Sequence, residues 1–149
     1  MTYLLDTNVI SAVAPTKKQR PAALVEWLDL ASDSLYLSVV TAAEIHDGIA
    51  KAKREGASRK ARDLKAWWDA VEHLYGKRIL AFDLSVAAIA GQMMDAARGA
   101  GHAPGFADVV IAATAQANGL TLVSATIKHF RSIYSATINP FDRLPSISG

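Results

Sequence analysis

No cysteine occurs anywhere in the chain. That absence excludes disulfides, thiolate zinc sites and cysteine nucleophiles, and it fits a reducing compartment. Long apolar runs are also missing. Hydrophobic residues make up 51% of the sequence, yet no stretch approaches the roughly 18 uninterrupted apolar residues of a membrane helix. The opening "MTYLLDTN" has no basic region ahead of its leucines and no small-residue cleavage site, so no export signal is expected. No internal repeat, low-complexity tract or linker divides the chain. These absences predict a soluble cytoplasmic protein without a membrane partner. Its 149 residues are read as one domain, 1–149, large enough for a core that needs no covalent or metal staple.

Several catalytic signatures are lacking too. The four histidines, His46, His73, His102 and His129, show no H-x-x-x-H pairing, which argues against zinc. No G-x-S-x-G elbow, P-loop or strand-borne G-x-G-x-x-G is present. Neither sign of charge dominates, since 16 basic and 14 acidic residues leave a net charge of +2. The basic residues are unevenly spread, however. "KAKREGASRKARDLK", Lys51 to Lys65, holds seven of them against Glu55 and Asp63. Such a segment is either a solvated helix face or an attraction for a polyanion such as nucleic acid.

Short β-rich runs alternate with helical patterns. Strands are expected at Tyr3 to Leu5, Leu35 to Val39, Ile79 to Phe82, Leu120 to Val123 and Thr137 to Ile138. Helices are expected at about Asn8 to Val13, Ala22 to Ala31, Ala42 to Lys53, Arg59 to Leu74, Ser85 to Arg98 and Asp108 to Ala117. Alternation of this kind predicts an α/β fold: a three-layer α/β/α sandwich around a mostly parallel, about five-stranded sheet.

In such a sheet ligands gather at the carboxyl ends of the strands, where the following helices begin. Four acids fall at these junctions: Asp6 after "YLL", Glu44 after "LYLSVVTAA" in the first turn of its helix, Asp83 after "RILAF", and Asp108 opening "DVVIAATAQANG". Singly, each fits helix capping or the helix dipole, and Thr41 with Glu44 fits the capping box T-x-x-E. As a set, carboxylates converging on one edge repel unless a cation lies among them. Mg²⁺, with Mn²⁺ as a substitute, is the simplest such partner for oxygen ligands.

Three blocks in order, "LLDTNVIS", "SVVTAAEIHDGI" and "GFADVVIAATAQANGLTLVSATIKHF", closing on "INPFD", resemble the PIN-domain family, specifically the VapC-type ribonuclease toxins of bacterial toxin–antitoxin pairs and their FitB-like branch. The resemblance spans nearly the whole chain. It implies that Asp6, Glu44 and Asp108 are the catalytic acids and hold Mg²⁺, and that Thr126 occupies a fourth position where Asn or Asp is usual. Ala125 stands where Arg often sits. Asp83 has no catalytic counterpart and is read as a helix cap.

The resemblance further implies hydrolysis of single-stranded RNA by a metal-activated water, with Ser124 and Thr126 positioning water or phosphate. It also implies a VapB- or FitA-like antitoxin partner, contact with operator DNA only through that antitoxin, and a homodimer. Of the adjacent Trp67 and Trp68, one is expected in the core and the other at a partner surface or packed on a neighbouring helix. Two other classes remain: a PIN-type binding module for RNA or protein without catalysis, and a receiver-like phosphoacceptor domain, for which the second acid beside Asp6 is missing.

Overall fold

The computed structural model describes residues 1–147. Its elements run β1 (Tyr3–Leu5), α1 (Thr7–Ser11), α2 (Ala22–Leu30), β2 (Leu35–Ser38), α3 (Val39–Arg54), α4 (Ser58–Tyr75), β3 (Ile79–Leu80), α5 (Leu84–Gly99), α6 (Phe106–Ala117), β4 (Thr121–Val123) and β5 (Thr137–Ile138). The five strands form one sheet in the order β3-β2-β1-β4-β5, and every neighbouring pair is parallel. This is the expected α/β/α arrangement.

Strand β1 is central because all three of its side chains are apolar and buried. Side chains alternate across a sheet, so Tyr3 and Leu5 enter one core while Leu4 enters the other. The first core packs Trp27 of α2, Ile45 and Ile49 of α3, and Leu64 and Trp68 of α4. The second packs Val86 and Met93 of α5 with Val109 and Ile111 of α6. Helix α6 is buried without interruption from Val109 to Ala115, which fixes its first turn against the sheet edge.

Two boundaries differ from the sequence reading for a clear local reason. Helix α3 begins at Val39 rather than Ala42, because the Ser38 hydroxyl accepts a hydrogen bond from the Val40 amide at 3.0 Å and caps the helix there. The T-x-x-E capping box is therefore not formed, and Glu44 lies in the second turn rather than the first. Strand β3 stops at Leu80 because its partner Ser38 is the last residue of β2. Ala81 and Phe82 consequently have no strand beside them. The turn between α3 and α4 is closed by Gly56 at φ +78°, a conformation natural to glycine.

The topology also removes the receiver-like alternative. Strand β3, which leads into Asp83, is at the sheet edge and separated from β1 by β2. Asp83 caps α5, as expected, accepting from the Val86 amide at 3.0 Å. Among the described residues no helix is long and apolar enough to cross a membrane.

Candidate active site

Asp6 is the first residue past β1. Its amide continues the ladder, donating to the Val123 carbonyl at 2.8 Å, while its own carbonyl accepts from Val9 at 3.0 Å as α1 begins. Strand and helix thus both fix its backbone. Its side chain is only 6% exposed, and both carboxylate oxygens have partners: the Thr7 amide donates to Oδ1 at 2.8 Å, and the Ser124 hydroxyl to Oδ2 at 2.8 Å.

A hydroxyl has a single proton, and that sets the direction of the surrounding network. Because Ser124 donates to Asp6, the Thr126 hydroxyl, 3.2 Å away, must donate to Ser124. Thr126 in turn accepts from the Asn8 amide group at 3.3 Å. The Thr126 backbone amide also donates to Ser124 at 3.0 Å, and Asn8 Oδ1 accepts from the Ala125 amide at 3.2 Å. Ser124 is fully buried, and its hydrogen-bonding capacity is filled. It supports Asp6 and has no capacity left for a phosphate. Thr126 stands one hydrogen bond further out, bracing Ser124.

Glu44 is tied in from the other side. Thr7 Oγ1 donates to Glu44 Oε1 at 2.7 Å and lies 2.8 Å from the hydroxyl of buried Thr41. With the Thr7 proton on Glu44, Thr41 must donate to Thr7, so the chain runs Thr41 to Thr7 to Glu44. Sequence reasoning treated Thr41 as a cap and gave Thr7 no role. The i, i+3 spacing of Thr41 and Glu44 was the available signal, since it sets both on one face of α3.

Asp108 lies in the first turn of α6, half-buried, with His129 Nδ1 3.6 Å from its Oδ2. Burial raises the Asp108 carboxyl above the ordinary range and the neighbouring His129 pulls it down. Asp6 is also raised. Burial is the main cause, the hydrogen bonds from Ser124 and Thr7 oppose it, and the charges of Asp108 and Glu44 push it further up. Asp6, at the carboxyl edge of β1, therefore feels the charges of the other two acids named from the sequence. Among the described residues, however, no three acids or histidines already stand in a closed metal cage.

The PIN domain profile matches residues 3–136. This chain belongs to the PIN-domain family. Toxin FitB of Neisseria gonorrhoeae is 35% identical over 142 residues, spanning 93% of this chain and 97% of that protein. VapC ribonuclease Y4jK of Sinorhizobium fredii is 34% identical over 140 residues, again covering 93% and 97%. The crystal structure of FitAcB from Neisseria gonorrhoeae superposes with a TM-score of 0.79 at 36% identity, covering 94% of this chain and 99% of the other. In this PIN domain the three blocks that carried the resemblance supply β1 with α1, the first half of α3, and α6 with β4.

Proposed function

We propose that this PIN domain is the ribonuclease toxin of a bacterial toxin–antitoxin pair, cutting single-stranded RNA by metal-dependent phosphodiester hydrolysis. The observation that carries the reading is the state of Asp6: a carboxylate at the end of the central strand, raised chiefly by its burial and further by the charges of Asp108 and Glu44, while two donors hold it in place. The names of the relatives, a toxin and a ribonuclease, point the same way.

The donor set fits a hard divalent cation. The three acids offer oxygen ligands, and the charge that Asp108 and Glu44 place on Asp6 is what a cation would relieve. Mg²⁺ commonly uses one or two carboxylates and keeps several waters, so a ready-made three-acid cage is not required. Asp6 and Asp108 would hold Mg²⁺, or Mn²⁺ in its place, with Glu44 as a third ligand or a partner to its water. When bound, the cation supplies an activated water and offsets the charge building on the phosphoryl oxygens.

The protein's own contribution is orientation. Ser124 and the Thr7 amide fix the Asp6 carboxylate, and Thr126 acts through Ser124. Thr41 and Thr7 hold the exposed Glu44 toward the same point, and His129 flanks Asp108. The reading carries with it a VapB- or FitA-like antitoxin, operator DNA reached only through that antitoxin, a homodimer, and a cytoplasmic setting in which the chain acts as one domain.

A non-catalytic binding module has one specific observation in its favour. The fourth position is a threonine whose proton points to Ser124, so no fourth carboxylate is present. Incubating mixed single-stranded RNA with the wild type and with Asp6→Asn, each with Mg²⁺ or Mn²⁺, separates the two readings. Fragments are expected from the wild type alone, and intact RNA in every sample would overturn the nuclease.

A further inference from the structure

Glu44 has a second environment. It also lines a cleft of about 330 Å³ between the segment that follows α1 and the adjoining parts of α3 and α4. Three lysines share that cleft: Lys17, Lys51 of α3 and Lys60 of α4. Lys51 is seven residues beyond Glu44, two helical turns and roughly 10 Å along the same face of α3. Two acids, Glu44 and Glu55, line it against the three lysines, and the floor is apolar, including Ile45 and Leu64.

None of the three lysines has a carboxylate within ion-pair distance among the described residues, where the pairs are Lys65–Asp69, Arg98–Asp95 and His129–Asp108. Three ammonium groups on one cleft, none of them in an ion pair among the described residues, outnumber its two carboxylates and favour an anionic ligand that runs along it. No aromatic side chain lines the cleft, so it has no platform for stacking bases. What it offers is charge for phosphates and an apolar floor for ribose.

We infer that this cleft is a backbone track for single-stranded RNA, in which Lys17, Lys51 and Lys60 bind the phosphates next to the one at the acids. The inference rests on the proposed nuclease reading and adds the path of the substrate. It also divides the basic segment, because Lys53, Arg62 and Lys65 line a different depression and have no part in the track.

The test uses the full chain carrying Asp6→Asn, so that RNA is bound without being cut. The probe is a fluorescent oligouridylate, and the readout is the dependence of log affinity on log salt. Each phosphate contact on a single strand contributes a slope of about −0.7, so Lys17→Ala, Lys51→Ala and Lys60→Ala together should flatten it by about 2. Replacing Lys53, Arg62 and Lys65 instead should leave it nearly unchanged. An unaltered slope in the first triple variant overturns the track and leaves the lysines to solvent or to an acidic protein segment. Equal flattening by both triples also overturns it, since the attraction would then be diffuse. Cleavage of mixed single-stranded RNA by wild type with Mn²⁺ is read in parallel. Cleavage with an unaltered slope defeats the track alone, and a flattened slope with mixed single-stranded RNA left intact by the wild type defeats the nuclease reading alone.

Discussion

Thr7 Oγ1 lies 2.7 Å from Glu44 Oε1, so the residue beside the most buried acid of the site holds the most exposed one. The chain that orients this contact begins at Thr41, whose hydroxyl is buried and 2.8 Å from Thr7. Residues standing behind metal ligands typically matter by about 10- to 100-fold in metal affinity or activity. Thr41→Val keeps the shape and removes the donor, so Mn²⁺ affinity, followed by thermal shift, is expected to weaken by about 10-fold. Thr41→Ser should restore it. A purely structural role would instead lower the melting temperature in chelator and leave the metal response intact.

Expression of the wild type without a partner is expected to slow bacterial growth, and Asp6→Asn to abolish the effect. The substitution removes a charge and barely alters shape. Growth curves of matched, equally expressed strains decide this, and equal toxicity of both forms would refute catalysis through Asp6.

Asp108→Asn and Glu44→Gln separate metal binding from helix-end stabilisation. Each retains a side-chain oxygen and loses the charge. In chelator both variants should melt at or above the wild type, because repulsion is relieved. In Mn²⁺ the order should reverse, since ligand at a hundred times its dissociation constant stabilises by about 2.7 kcal/mol. Identical metal-induced shifts in all three proteins would mean that the acids share no cation.

The raised carboxyls of Asp6 and Asp108 set a sign for pH dependence. Between the ordinary carboxyl pKa of 3.8 and the raised folded values, the native state binds more protons than the unfolded chain. Stability contributed by these groups is therefore complete below the unfolded value and is lost as pH rises through the folded ones. Urea melts of the metal-free protein from about pH 4 to about pH 7 should show the wild type losing stability relative to Asp6→Asn/Asp108→Asn. A gap that moves in favour of the wild type would contradict the assignment.

Of the adjacent tryptophans, Trp68 is fully buried against the first core and Trp67 half-buried beside it. Trp68→Ala should cost about 3–5 kcal/mol in urea unfolding, and Trp67→Ala markedly less.

Much of this was readable in advance because the signals were local. Asp6 stands where a short apolar strand gives way to a helix and Asp108 where a helix opens, while Glu44 lies one turn further into its helix than the sequence suggested. Strand order followed from the same logic only in class. The hydroxyl network was not readable, since Ser124 and Asp6 are 118 residues apart and nothing in "SAT" says which way a proton points. Val39 read as the end of a strand by its β-branching, and one serine hydroxyl turned it into the start of α3. The lysine cleft was hidden for a similar reason: Lys17 lies far along the chain from Lys51 and Lys60, and only the packing of α3 on α4 beside α1 unites them.

The position of β1 between β2 and β4 also dictates the order in which the protein can mature. Tyr3 pairs with Leu35 on one side and with Thr121 on the other, so a chain still being synthesised can complete the first pairing long before the second. Until β4 arrives, Asp6 lacks both the Val123 carbonyl that anchors its amide and the Ser124 hydroxyl that orients its carboxylate. Contacts so distant in sequence form late and slowly. A ribosome translating this message therefore carries a nascent chain whose acidic centre is incomplete until β4 has emerged.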